Sequence, residues 1–131
     1  MIRFRVYGTP VPQGSMKHIG GGRVIHTAAG KLKRWRAEIE RVAVDVGRNR
    51  PAIDGACMID VEFILERPKS RRKALFADRR PDLDKLQRGV GDALESVLYT
   101  QDSRVVGWNA TKRYAEGDEL PGVWIELREM A

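Results

Sequence analysis

The chain holds one cysteine and two histidines in 131 residues. Cys57 has no partner for an internal disulfide. One thiol with His18 and His26 is too small a set of soft ligands for a zinc cluster. No apolar run is long enough for a membrane span, and neither internal repeats nor a low-complexity tract interrupts the chain. The opening MIRFRVYGTP places its charges at alternate positions with no continuous apolar segment behind them, so it does not read as a secretory signal. These absences lead us to expect a reduced, cytoplasmic protein with no membrane partner.

What is present is positive charge. Twenty-four Lys and Arg stand against 18 Asp and Glu, a net charge of +6. A cationic domain of this size fits a polyanion, nucleic acid above all, although a basic surface kept only for solubility has the same composition. The length suits a single domain over residues 1–131, and a hydrophobic fraction of 42% is ordinary for a globular core.

Hydrophobic periodicity sets the expected elements. Ile2, Phe4 and Val6 alternate with Arg3, Arg5 and Tyr7, the pattern of a strand with one buried face. MKHIGGGRVIHT reads as a short hairpin turning at Gly20 to Gly22. A helix is expected from Thr27, its cap, with Leu32, Trp35, Ile39, Val42 and Val46 as the apolar stripe and Gly47 as its end. Met58 to Leu65 is a strand with Ile59, Val61, Phe63 and Leu65 on one face. The following ERPKSRRKALFADRRP has no period and reads as a long loop with one helical turn around Ala74.

A second helix follows Pro81, with Leu83, Leu86, Val90, Ala93 or Leu94, and Val97 buried, ending near Leu98. Val105 to Tyr114 and a segment marked by Val123, Ile125 and Leu127 are the last strands, antiparallel across the turn AEGDELPG. The expected fold class is α/β (α+β): one mixed sheet with two main helices packed on it. Trp35 falls on the first helix's apolar stripe and reads as core. Trp108 and Trp124 fit core, a subunit interface or a DNA contact.

The unusual stretch is RRPDLDK, where Asp82 and Asp84 sit behind two arginines. Asp84, Arg88 and Asp92 lie four residues apart and form one polar stripe of the helix. Two helical residues two apart point about 200° from each other. Asp82 therefore converges with Asp84 only if it stands before the helix, in extended or N-cap geometry, as Pro81 favours. Convergent carboxylates suit a hard cation such as Mg²⁺, which takes one or two of them with water and phosphate oxygens. Asp102 follows the same helix and joins them only if the chain doubles back or a second subunit supplies it. With a metal present, Arg88 could stabilise charge on a phosphodiester, while Arg71, Arg72, Lys73, Arg79 and Arg80 hold flanking phosphates. Spacing alone favours a plain account, in which Asp82 caps the helix, Asp84 pairs with Arg88, and Asp102 is a turn residue.

RRPDLDKLQRGVGDALESVLYTQDSRVV resembles the signature of the RusA-type Holliday junction resolvases: D-x-D at a helix start, a cation, D-A-L, then an acid before a short apolar strand. GTPVPQGSMK and LKRWRAEIERVA are similar to phage and prophage members, so the resemblance spans most of the chain. It implies a homodimeric, Mg²⁺-dependent endonuclease, with Mn²⁺ as a substitute, that cuts four-way DNA junctions in symmetric pairs. The family's acids fall on Asp82, Asp84 and Asp102, which would hold the metal, and its basic residue on Arg88. Lys17 and Lys85 join the basic loop as expected DNA contacts. Three positions depart from the pattern: Lys85 replaces a common Asn, Arg88 replaces Lys, and Gln101 replaces one acid of a frequent pair. A junction-binding protein without catalysis, or a nuclease for flaps and forks, are the alternative readings.

Overall fold

The computed structural model describes residues 1–14 and 22–130, and within its first helix the side chains from residue 29 onward. Four strands and two helices form the domain: β1 (Ile2–Tyr7), α1 (Gly22–Val46), β2 (Cys57–Leu65), α2 (Leu83–Leu94), β3 (Val105–Tyr114) and β4 (Gly122–Glu129). The α+β class expected from the sequence is the one observed. Among the described residues no helix is long and apolar enough to cross a membrane.

The strand order is β1-β4-β2-β3. β4 is antiparallel to both β1 and β2, whereas β2 and β3 are parallel. The last two strands thus run in opposite directions, as expected, but are not partners, because β2 lies between them. β2, α2 and β3 form a β-α-β crossover, which makes β2 and β3 parallel neighbours. β4 takes the far side of β2 and fills the space between β2 and β1, leaving β3 as an edge strand.

Side-chain alternation assigns the two faces of the sheet. Phe4, Val6, Ile59, Val61, Phe63, Val123, Ile125 and Leu127 are buried in one cluster with Trp35 and Ile39 of α1 and Leu86, Val90 and Leu94 of α2. Each such side chain contributes about 1.5–3 kcal/mol by leaving water, so this shared core fixes α2 against the sheet. On the opposite face the Arg3 guanidinium lies 4.5 Å from the centroid of Trp124. Arg5 lies 4.6 Å from Tyr7 and 5.6 Å from Trp124. Trp124 is therefore an outward, half-buried platform under two arginines, while Trp35 is core at 4% exposure.

Four local expectations change. α1 begins at Gly22 rather than Thr27, so the second arm of the expected hairpin is helical. The pattern explains this, since Ile25, Ala28 and Leu32 carry the helical stripe backwards in steps of three to four residues. The rest of that hairpin, Lys17 and the side chain of Thr27 lie outside the described residues. The helical turn in the basic loop spans Lys69–Arg71, ahead of Ala74. α2 stops at Leu94, short of Leu98, because Ser96 takes a φ of 71° and turns the chain.

Candidate active site

The start of α2 is fixed before any chemistry is considered. Asp82 occupies the N-cap position with φ −71° and ψ 136°, extended, and its carbonyl accepts the Leu86 N–H at 3.1 Å. Its carboxylate makes no capping hydrogen bond. It lies 3.6 Å from the Lys85 ammonium and is more than half exposed. The residue best placed to cap the helix therefore leaves its acid free of the backbone. Lys85, a departure from the family pattern, now has a local explanation as the counter-ion of Asp82.

The segment leading into Asp82 is held from β3. Lys112 Nζ donates to the carbonyls of Arg79 and Pro81, at 2.7 and 2.8 Å. In register Lys112 sits opposite Phe63, between Ala110 and Tyr114 on the core-facing side of β3. This lysine went unnoticed in the sequence; its only signal there is a cation at an inward position of a strand.

Asp84, Gln87, Arg88, Gly91 and Asp92 make one wall of an open groove, and Tyr99, Asp102, Val105 and Trp108 make the other. The space is about 310 Å³ and open to solvent, large enough for a hydrated cation. The Trp108 ring packs over Gly91, where a β-carbon would rest 3.4 Å from it, at ordinary contact. The Tyr99 hydroxyl donates to the Gly91 carbonyl at 2.9 Å and stands 3.5 Å from Asp102 Oδ1. Burial pushes that hydroxyl well above the usual phenol range, so it stays protonated as a donor.

Asp102 reaches the groove because the chain doubles back. Ser96 N–H donates to the Tyr99 carbonyl at 2.7 Å, while the Ile53 N–H donates to the Leu98 carbonyl at 2.8 Å and the Ile53 carbonyl accepts from the Thr100 N–H at 3.0 Å. Asp54 then clamps it, accepting from the Thr100 hydroxyl at 2.8 Å and from Arg104 at 2.9 and 3.1 Å. The Asp102 N–H donates to Glu95 Oε2 at 2.8 Å. Burial raises the Asp102 carboxyl above the ordinary range, and the negative charges of Glu95 and Asp92 raise it further.

The structure thus brings Asp84, Arg88 and Asp102 to one groove, adds Asp92, and leaves Asp82 outside its lining, against Lys85. Arg72, Lys73, Arg79 and Arg80 are exposed on the preceding loop. Arg71 is occupied within that loop. It bonds to the Phe76 carbonyl at 3.2 Å, the Tyr114 hydroxyl at 3.3 Å and the Asp78 carboxylate.

The family model for endodeoxyribonuclease RusA matches residues 8–128. The chain belongs to the RusA endodeoxyribonuclease family. It is also 33% identical, over an alignment of 144 residues covering 99% of this chain and 97% of the relative, to "Uncharacterized protein YqaN" of Bacillus subtilis (strain 168). The RusA match covers β2, the basic loop, α2, β3 and nearly all of β4, and so every residue of the groove.

RusA-type nucleases are generally dependent on a divalent metal. Among the described residues no three carboxylate, imidazole or thiolate side chains gather closely enough to enclose a cation. The donor chemistry nevertheless fits one. The groove is open, its acids are all oxygen donors, and the Asp102 carboxyl is strained by like charges that a dication would relieve. This suits a hard ion held by one or two carboxylates at a time, with water and phosphate oxygens completing its shell.

Proposed function

We propose that this protein is a Mg²⁺-dependent, structure-selective endodeoxyribonuclease that resolves four-way DNA junctions by paired, symmetric phosphodiester hydrolysis, acting as a homodimer in the cytoplasm. The observation that carries the proposal is the groove itself: carboxylates from both ends of α2 and from the returning loop flank Arg88 on an open surface. Asp82, Asp84 and Asp102 are assigned as the metal's holders, with Mn²⁺ able to replace Mg²⁺. The bound ion would polarise the phosphodiester and lower the pKa of a water.

The chain's own residues perform the remaining work. Arg88, one turn after Asp84, binds the scissile phosphate and stabilises its growing charge. A guanidinium presents a fixed fork of N–H donors to phosphate oxygens, so its role is electrostatic. Arg72, Lys73, Arg79, Arg80 and Lys17 hold flanking phosphates and set the strand's position, not its sequence. The Tyr99 hydroxyl, bonded to Gly91, keeps the Asp102 loop against α2. Two strands must be cut to resolve a junction, and a two-fold dimer presents two identical sites.

Lys85 competes with the metal for Asp82. Lys85→Asn is expected to lower the Mg²⁺ concentration for half-maximal cleavage by about two- to five-fold, the worth of an exposed ion pair. A titration giving an unchanged or higher midpoint would contradict that role.

The reading is tested by incubating end-labelled four-way junctions, flaps, forks and duplexes with the protein in Mg²⁺ or EDTA. A junction resolvase cuts the four-way substrate fastest and only with metal. Preferred cutting of flaps or forks would reassign the substrate. Junction binding in both conditions without cutting, weakening steeply with salt, would mark a non-catalytic binder.

A further inference from the structure

We propose that the loop ahead of α2 carries an apolar wedge, Leu75 and Phe76, which inserts between unstacked bases at the branch point of the DNA. The proposal rests on the nuclease reading above and names the feature of the substrate that its site recognises.

Leu75 is 88% exposed and Phe76 is 76% exposed, side by side, while the next residue, Ala77, is buried at 4%. Single exposed apolar residues need no explanation, but an adjacent pair on a braced loop does. Arg67 donates to the carbonyls of Arg71 and Ala74, at 3.1 and 2.8 Å, and its guanidinium lies 5.0 Å from the Tyr114 ring centroid. Arg71 holds the carbonyl of Phe76 itself. Lys112 ties down the far end of the loop at Arg79 and Pro81. The backbone on both sides of the pair is therefore fixed by buried or half-buried groups, and the two side chains are displayed rather than folded inward.

The surroundings select the partner. Arg72, Lys73, Arg79 and Arg80 are exposed on either side of the pair. The nearby acid, Asp78, is already engaged by Arg71 and Arg79. An apolar tip set among cations fits a partner that is apolar in its interior and anionic outside, as stacked bases within a phosphate backbone are. Phe and Leu are among the side chains that proteins insert between base steps. In a continuous duplex, insertion must break intact stacking. At a branch point stacking is already interrupted, so the same insertion is cheaper there. The loop runs directly into the active site: the six residues from Phe76 to Asp82 span at most about 20 Å. A wedge seated at the branch would thus fix which phosphate reaches Arg88.

The test uses the full-length protein in EDTA with a four-way junction carrying 2-aminopurine at the branch, beside a duplex of equal length. Wild-type protein is expected to raise the 2-aminopurine fluorescence and to prefer the junction. Leu75→Ala/Phe76→Ala should abolish the rise and weaken junction binding about ten-fold, the scale of one lost base–aromatic stack. Its duplex affinity and thermal midpoint should be unchanged, and Phe76→Trp should retain the rise. Unchanged fluorescence and junction affinity in the double variant, or equal losses on junction and duplex, would overturn the wedge. So would conversion of a dimer to a monomer in light scattering, which would assign the pair to a protein contact. If wild-type protein cuts junctions in Mg²⁺ while the double variant matches it in every arm, the wedge alone fails. If wild-type protein neither prefers nor cuts junctions, the nuclease reading fails and takes the wedge with it.

Discussion

Asp82→Asn is expected to reduce junction cleavage by more than about 100-fold, beyond the usual loss for an outer-shell partner of a metal. Junction binding should be retained or tightened, because a negative charge beside the phosphates is removed. The substitution separates two accounts of the same residue. Asn caps helices about as well as Asp, so a residue serving only as a cap would tolerate it. The backbone role of Asp82, accepting the Leu86 N–H at 3.1 Å, is also independent of the side chain. Its carboxylate makes no capping bond that could be lost. The thermal midpoint should therefore hold while the rate collapses. Cleavage at the wild-type rate would remove Asp82 from the mechanism.

Gly122→Ala is expected to have the largest effect on folding. Gly122 opens β4, pairing with Tyr7 of β1 on one side and Ile64 of β2 on the other. A β-carbon there would stand 2.2 Å from the Val6 carbonyl oxygen and 3.2 Å from the Tyr7 α-carbon. Both are backbone atoms of a paired strand, so no side chain can rotate away. β1 would have to separate from β4, breaking its ladder and uncovering Phe4 and Val6. Overpacking costs up to about 3 kcal/mol when the surroundings yield a little, and here they are pinned on both sides. A fall in thermal midpoint of roughly 10–15 °C is expected by calorimetry, or failure to fold. A shift within a degree or two would show that the β1–β4 contact is far more compliant than its geometry.

The two effects also divide what could be read in the sequence. Local period revealed β2, β3, the stripe of α2 and the buried Trp35, because each depends on residues a few positions apart. The same reasoning placed Asp82 before the helix and Asp84 on it, and the structure has both there. Strand order was not legible: β4 meets β1 across more than a hundred residues, and no local pattern encodes which edge a last strand chooses. The return of Asp102 was open for the same reason. Its clamp, Asp54 to Thr100 and Arg104, joins residues 46 and 50 positions apart. Arg71 shows a further limit. In a run of cations it looks like its neighbours, yet it braces the loop while Arg72 and Lys73 face solvent. The gathering of Asp92 and Glu95 around Asp102 likewise emerged only with the fold.

The most direct test of the central claim is strand-by-strand mapping of nicks in a synthetic four-way junction, with Mg²⁺ and with EDTA. The account predicts nicks at symmetry-related positions on two opposing strands, leaving ends that can be religated, with Mg²⁺ and none with EDTA. Nicks that persist in EDTA, or no nicks in Mg²⁺ from protein that binds the junction, would contradict it.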